Sequence, residues 1–191
     1  MKEIDTSTAP IKGHLRLGGD YLRRDIYRVF THFHGSEALA DLSNTDTGIY
    51  YADLQHRFEE LEIQNLLLRL AVRIRILEDA YRETWQEPWS KPVGRLFNDS
   101  TSAEHSPLSV REACNKVIHA RYVNFCRTGV AEENEVIFPL LPTVVLYGTQ
   151  IRSPVFWKCE LQINEFLDSA LTIAEYVYGP LISKSDERMA K

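Results

Sequence analysis

Between Ser109 and Arg121 the chain reads Ser-Val-Arg-Glu-Ala-Cys-Asn-Lys-Val-Ile-His-Ala-Arg, and within it Arg111, Asn115 and His119 recur four residues apart. On a helix such residues stand in one row, so a guanidinium, an amide and an imidazole would face one ligand. That trio suits the binding and cleavage of a phosphodiester. A guanidinium forks onto phosphate oxygens, histidine exchanges protons near neutral pH, and the amide can orient either the substrate or the imidazole. Lys116 and Arg121 add cations at other angles, and Arg73 offers one from an earlier helix. The plainer reading of the same row is a solvated helix face, with Asn115 and His119 hydrogen-bonded to a neighbouring loop.

The element that must position this row has its own start signal. Ser109 followed by Glu112 is a capping-box pattern, in which hydroxyl and carboxylate satisfy backbone N–H groups at a helix start; Pro107 suits the same boundary. Val110, Ala113, Cys114, Val117 and Ile118 then form an apolar stripe for the core, turning Arg111, Asn115 and His119 away from it.

A second helix is expected over 51–84, a span without proline or glycine. Leu54, Phe58, Leu61, Leu68, Val72 and Ile76 form one stripe, and Ile63, Leu67, Leu70, Ile74, Leu77 and Tyr81 form another nearly opposite. A helix apolar on two sides is covered on two sides. Either it runs through the middle of a bundle, the expectation adopted, or its second stripe meets a partner subunit. Arg69 and Arg73 lie between the stripes, able to approach the Arg111 row or to pair with Glu62 and solvent. Asn65, inside the first stripe, needs a partner if buried.

Elsewhere the pattern is mixed. Residues 1–19 read as a weakly structured arm, 20–35 as a first helix capped by Asp20 and stopped by Gly35, and 36–47 as a turn and polar loop. His32 and His34 point to different sides of that helix, so a metal pair would need His14 or His56. Residues 85–106 read as a long connection anchored by Trp85 and Trp89. Tyr122–Cys126, Thr143–Tyr147 and Val155–Gln162 read as a hairpin plus a third strand. A last helix begins at Asn164 and stops at Gly179-Pro180, before a frayed tail over 183–191.

The 191 residues, 44% of them hydrophobic, are expected to form a single domain, 1–191. A net charge of −5 gives no global attraction to nucleic acid, so RNA contact would need a local cationic cluster. Cys114, Cys126 and Cys159 lack CxxC spacing and are expected to be reduced thiols. No signal-peptide core or membrane-spanning run occurs, which gives a cytoplasmic expectation. Walker, zincin, nucleophile-elbow and zinc-ligand patterns are absent, and no cofactor is implied.

At Cys114-Asn115-Lys116-Val117-Ile118-His119 the chain resembles the HEPN superfamily, all-helical domains whose signature is Arg-Asn-x-x-x-His on a late helix. A weaker likeness, through the long helix and the Leu-Tyr-Gly…Trp hairpin, extends it over 50–178. The resemblance implies a mainly α fold: a HEPN-like helical bundle with a small antiparallel β-sheet or hairpin inserted before the last helix. It further implies a metal-independent endoribonuclease of toxin or phage-defence type, often a homodimer, with an RNA substrate and an antitoxin or defence-system partner. His119 would move protons while a ribose 2′-hydroxyl attacks the adjacent phosphate, leaving a cyclic phosphate. Cys114 stands where the signature has arginine, so Arg111 would have to bind phosphate and activity would be impaired. The competing expectation is a non-catalytic HEPN-like module for binding RNA or protein or for dimerisation. A Cys114/His119 thiol enzyme is disfavoured, because the two side chains lie about 140° apart on the helix.

Overall fold

The computed structural model describes residues 18–45, 49–81, 83–84, 87–129, 138–149 and 156–179. The expected 1–17 part of the arm, Trp85 and the 183–191 tail lie outside them. Helix α1 (Gly19–Ser43) buries Leu22, Ile26, Val29, Phe33 and Ala40 along one side. Its cap is Gly18 rather than Asp20, and it continues past Gly35. A glycine inside a helix costs about 1 kcal/mol relative to alanine. Packing beyond it outweighs that cost: Ser36 is buried and its hydroxyl accepts a 2.9 Å bond from the Leu140 N–H.

The expected long helix is three consecutive pieces, α2 (Ile49–Leu54), a π-helical turn (Gln55–Glu59) and α3 (Glu60–Tyr81). The wide turn accompanies two buried polar residues. Gln55 donates to Glu59 at 3.1 Å and meets the Ser43 hydroxyl at 3.2 Å, while Arg127 reaches Glu59 at 3.2 Å. A short helix α4 (Glu87–Ser90) follows, and its Trp89 is buried.

The mainly helical expectation is overturned by a five-stranded, wholly antiparallel sheet. Its strands are β1 (Pro92–Phe97), β2 (Ser106–Ser109), β3 (Tyr122–Arg127), β4 (Leu140–Thr149) and β5 (Phe156–Gln162), in the order β2-β1-β5-β4-β3. The fold is mixed α and β. The hairpin and third strand expected from the pattern are β4, β5 and β3; the missed half is β1 and β2, inside the supposed 85–106 loop and just beyond it. Pro92, Gly94 and Pro107 disguise them as turn signals. Proline is tolerated at the first residue of a strand and on an edge strand, where Pro92 and Pro107 stand. Gly94 has φ of +153°, and a Cβ there would lie 2.0 Å from the Glu160 carbonyl oxygen, so the residue is set by the close approach of β5.

Along β5, Trp157, Cys159 and Leu161 are buried, with Leu96 and Leu146 flanking Cys159 and Val144 beside Leu161. Helices α1, α5 (Val110–His119) and α6 (Ile163–Tyr178) all pack on the sheet, and α3 packs chiefly on α1 and α5. Helix α6 begins one residue before Asn164 and ends at Gly179, whose φ is +81°. One continuous apolar cluster joins all four long helices to the sheet. Because α3 rests on other helices, its inner stripe is the one that is fully covered. Ile63, Leu66, Leu67, Leu70 and Ile74 are at most 2% exposed.

Candidate functional site

Helix α5 starts as its sequence dictates: the Ser109 hydroxyl accepts a 3.2 Å bond from the Glu112 N–H. Val110, Ala113 and Cys114 on the next turn are fully buried, which fixes the rotation of the helix. Arg111 and Asn115 are consequently half-buried and His119 is exposed. The far end of α5 is pressed closely onto the sheet. At Gly148 a Cβ would lie 2.2 Å from the Trp157 ring and 3.0 Å from the His119 carbonyl oxygen, so glycine permits that approach.

The cations expected to bind substrate are mostly committed elsewhere. Arg111 donates to Glu78, a carboxylate 1% exposed that also receives Arg75. Arg73 points to α1 rather than α5: it is 7% exposed, pairs with the buried Asp25, and donates to the Tyr21 carbonyl at 3.2 Å. Arg69 holds the same carboxylate at 3.2 Å. Neither arginine approaches the Arg111 row through these contacts. Lys116 lies 3.2 Å from Glu112 and 4.5 Å above the Trp157 ring, with most of its side chain covered. Arg73 and Lys116 are therefore structural, and Arg111 carries a charge already neutralised.

Three of the expected residues keep free functional groups. Among the described residues, the Asn115 amide and the His119 imidazole have no hydrogen-bond partner, and no carboxylate pairs with Arg121, which is exposed just past the helix. They form a short polar edge around the end of α5. Cys114 occupies the opposite side. Burial pushes its thiol far above the usual range, with the Glu78 carboxylate adding to the effect and Arg75 opposing it. An inert core thiol thus stands where the HEPN signature has arginine, and it cannot act as a nucleophile with His119. Cys159 is likewise buried, its thiol pushed up to about 12.

Beside this edge lies an open groove of about 220 Å³. Gln64, Asn65, Leu67 and Leu68 of α3 form one wall, Val117, Ile118 and Ala120 the other, and Val123 and Leu146 line it from the sheet. Among the described residues no ionisable side chain lines it. Among the described residues no three His, Cys, Asp or Glu side chains gather into a metal site. His34 instead stacks on Phe30 and lies 3.2 Å from Asn164.

A further feature runs along α2, the π-helical turn and α3. The stripe expected to be buried in a bundle is open over its first part, with Leu54 53% exposed, Phe58 and Leu61 each 56% exposed and Leu68 43% exposed, while Val72 and Ile76 beyond it are partly buried. The two-stripe pattern had signalled it, but periodicity does not say which stripe is covered. Comparison with protein families, curated protein sequences and solved structures finds no match to this chain. No helix among the described residues is long and apolar enough to cross a membrane.

Proposed function

We propose that this protein is a non-catalytic binding module, whose working surface is the exposed apolar face along α2, the π-helical turn and α3, with the adjoining groove. One observation carries this reading: Leu54, Phe58, Leu61 and Leu68 are large, apolar and about half exposed along one helix face. Single exposed apolar residues are ordinary, but contiguous patches mark interaction sites. The groove between α3 and α5 extends the face with Val117, Ile118 and Val123. An environment-sensitive dye tests the reading on chain dilute enough to be monomeric. Dye should bind, and Phe58→Ser combined with Leu61→Ser should remove most of the signal without changing the circular dichroism. An undiminished signal in that variant, or no binding by the parent, would refute it.

A second reading, metal-independent endoribonuclease, is favoured by the free Asn115, His119 and Arg121 groups. In it His119 would move the 2′-hydroxyl proton, Asn115 would orient the phosphate and Arg121 would replace the committed Arg111. The HEPN likeness supports it at Asn115 and His119 only. Purified wild type in excess chelator should then cut single-stranded RNA to cyclic-phosphate ends, and His119→Ala should not. Equal behaviour of the two proteins would eliminate this reading.

A further inference from the structure

The two edges of the sheet are finished differently. Sheets blunt an exposed edge with a short strand, a proline, a charge or a bulge. The β2 edge is four residues long and contains Pro107. The β3 edge has no proline or charged residue from Tyr122 to Cys126, and its pairing with β4 is regular from Tyr122 to Phe125, with a bulge only between Phe125 and Arg127. In an antiparallel strand about half of the backbone N–H and C=O groups point away from its neighbour. Among the described residues, those of Tyr122 to Cys126 that point away from β4 have no partner.

This bare edge borders the groove. Val123 lines the groove from β3, and no strand of the sheet lies beyond it on that side. The first half of α3 accompanies β3: Arg127 reaches Glu60 at 2.9 Å, and further along α3 Gln64, Asn65 and Leu68 line the same groove as Val123. Among the described residues the Gln64 and Asn65 amides have no hydrogen-bond partner.

We propose that the groove takes an extended strand from a partner protein, added to β3 as a sixth strand of the sheet. This inference rests on the reading of the face and groove as a binding surface. A helix satisfies its own backbone groups, so a helical occupant would leave the β3 edge bare. An added strand pairs with that edge through main-chain hydrogen bonds and is recognised through its alternate side chains. Every second side chain of such a strand stands on the Val123 side of the sheet, about 5 Å from its cross-strand neighbour. There Leu68 and the groove receive apolar groups, and the two free amides meet hydroxyl or carbonyl groups.

Charge adds a requirement at one end. Arg121 immediately precedes β3, its N–H donates to the Tyr147 carbonyl at 2.8 Å, and no carboxylate pairs with its side chain among the described residues. The other charges bordering this face are paired within the chain: Arg127 with Glu59 and Glu60, Arg57 with Asp53, Arg28 with Glu62, and Arg69 with Asp25. The strand is therefore expected to be apolar at alternate positions and to carry a carboxylate at the end that reaches Arg121.

About 14 Å of edge is available, less than a standard interface spans, so a short peptide is expected to bind with a Kd of about 100 µM. The probe is a dye-labelled, amidated hexapeptide of alternating valine and threonine ending in aspartate, its anisotropy followed as the whole chain is added to about 1 mM. Binding should slow hydrogen exchange at amides between Tyr122 and Cys126. N-methylation of alternate peptide nitrogens should abolish binding for one of the two possible sets, because only one set turns towards β3. Leu68→Glu, at a position 43% exposed, and Arg121→Gln should each weaken binding about fivefold or more, with unchanged circular dichroism. With asparagine in place of the peptide's aspartate, Arg121→Gln should make no difference. No peptide binding by a parent that still takes up the dye overturns strand addition and leaves the binding-module reading with another partner; loss of both removes both. Indifference to either set of N-methyl groups overturns the main-chain pairing, indifference to Leu68→Glu overturns the groove as its seat, and indifference to Arg121→Gln overturns the carboxylate requirement.

Discussion

Asp25→Asn is expected to be among the most damaging conservative changes in this protein. Asp25 is 1% exposed and is the only carboxylate paired, among the described residues, with Arg73, itself 7% exposed. The amide keeps the shape but removes the charge, stranding a guanidinium that sits almost wholly out of water. Breaking a buried pair from one side costs about 3–5 kcal/mol, a large share of the 5–15 kcal/mol that typically holds a domain. For a chain of this size that lowers the melting temperature by roughly 10 °C. The Arg73 Nε, buried without a hydrogen-bond partner, marks the pair as imperfectly satisfied. Removing the stranded cation as well, in Asp25→Asn with Arg73→Met, should therefore recover most of the loss. Arg69→Ala should cost about 1 kcal/mol or less, because its side chain is 40% exposed. Urea unfolding gives all four midpoints. A loss below about 1 kcal/mol for Asp25→Asn, or a combined variant weaker than the single one, would refute the assignment of Arg73 as structural.

Restoring the signature residue with Cys114→Arg should not create a nuclease. The side chain would enter a fully buried position, so a loss of about 3 kcal/mol or more is expected in urea; a stable variant that cleaves RNA would contradict the burial argument. The thiols predict an alkaline weakness. Cys159 ionises near 9 when unconstrained, but burial in the fold pushes it up to about 12. Its contribution is intact below pH 9 and is lost as pH rises from there towards 12, because only the unfolded chain releases the proton. The slope is at most about 1.4 kcal/mol per pH unit. Cys159→Ala should flatten the fall in urea midpoint over that interval, and parallel profiles would contradict it.

The sequence by itself determined what depends on near neighbours. The Ser109 cap, the Cys114 side of α5, the alternation of β3, β4 and β5, and the stop at Gly179 all follow from hydrogen bonds or periodicities spanning a few residues. It also displayed both stripes of the second helix, with Asn65 inside the first. Tertiary structure decided everything that required knowing what lies opposite. Pro92 and Gly94 became strand residues because β5 runs alongside them. Arg111 lost its freedom to Glu78, and Arg73 to Asp25, across separations of 33 and 48 residues. Such pairings are set by how helices pack, and no local pattern encodes them. For the same reason Leu61 and Leu68 on the outer stripe of α3 stayed open: periodicity shows that a face is apolar, while only the arrangement of the other elements determines whether this chain covers it.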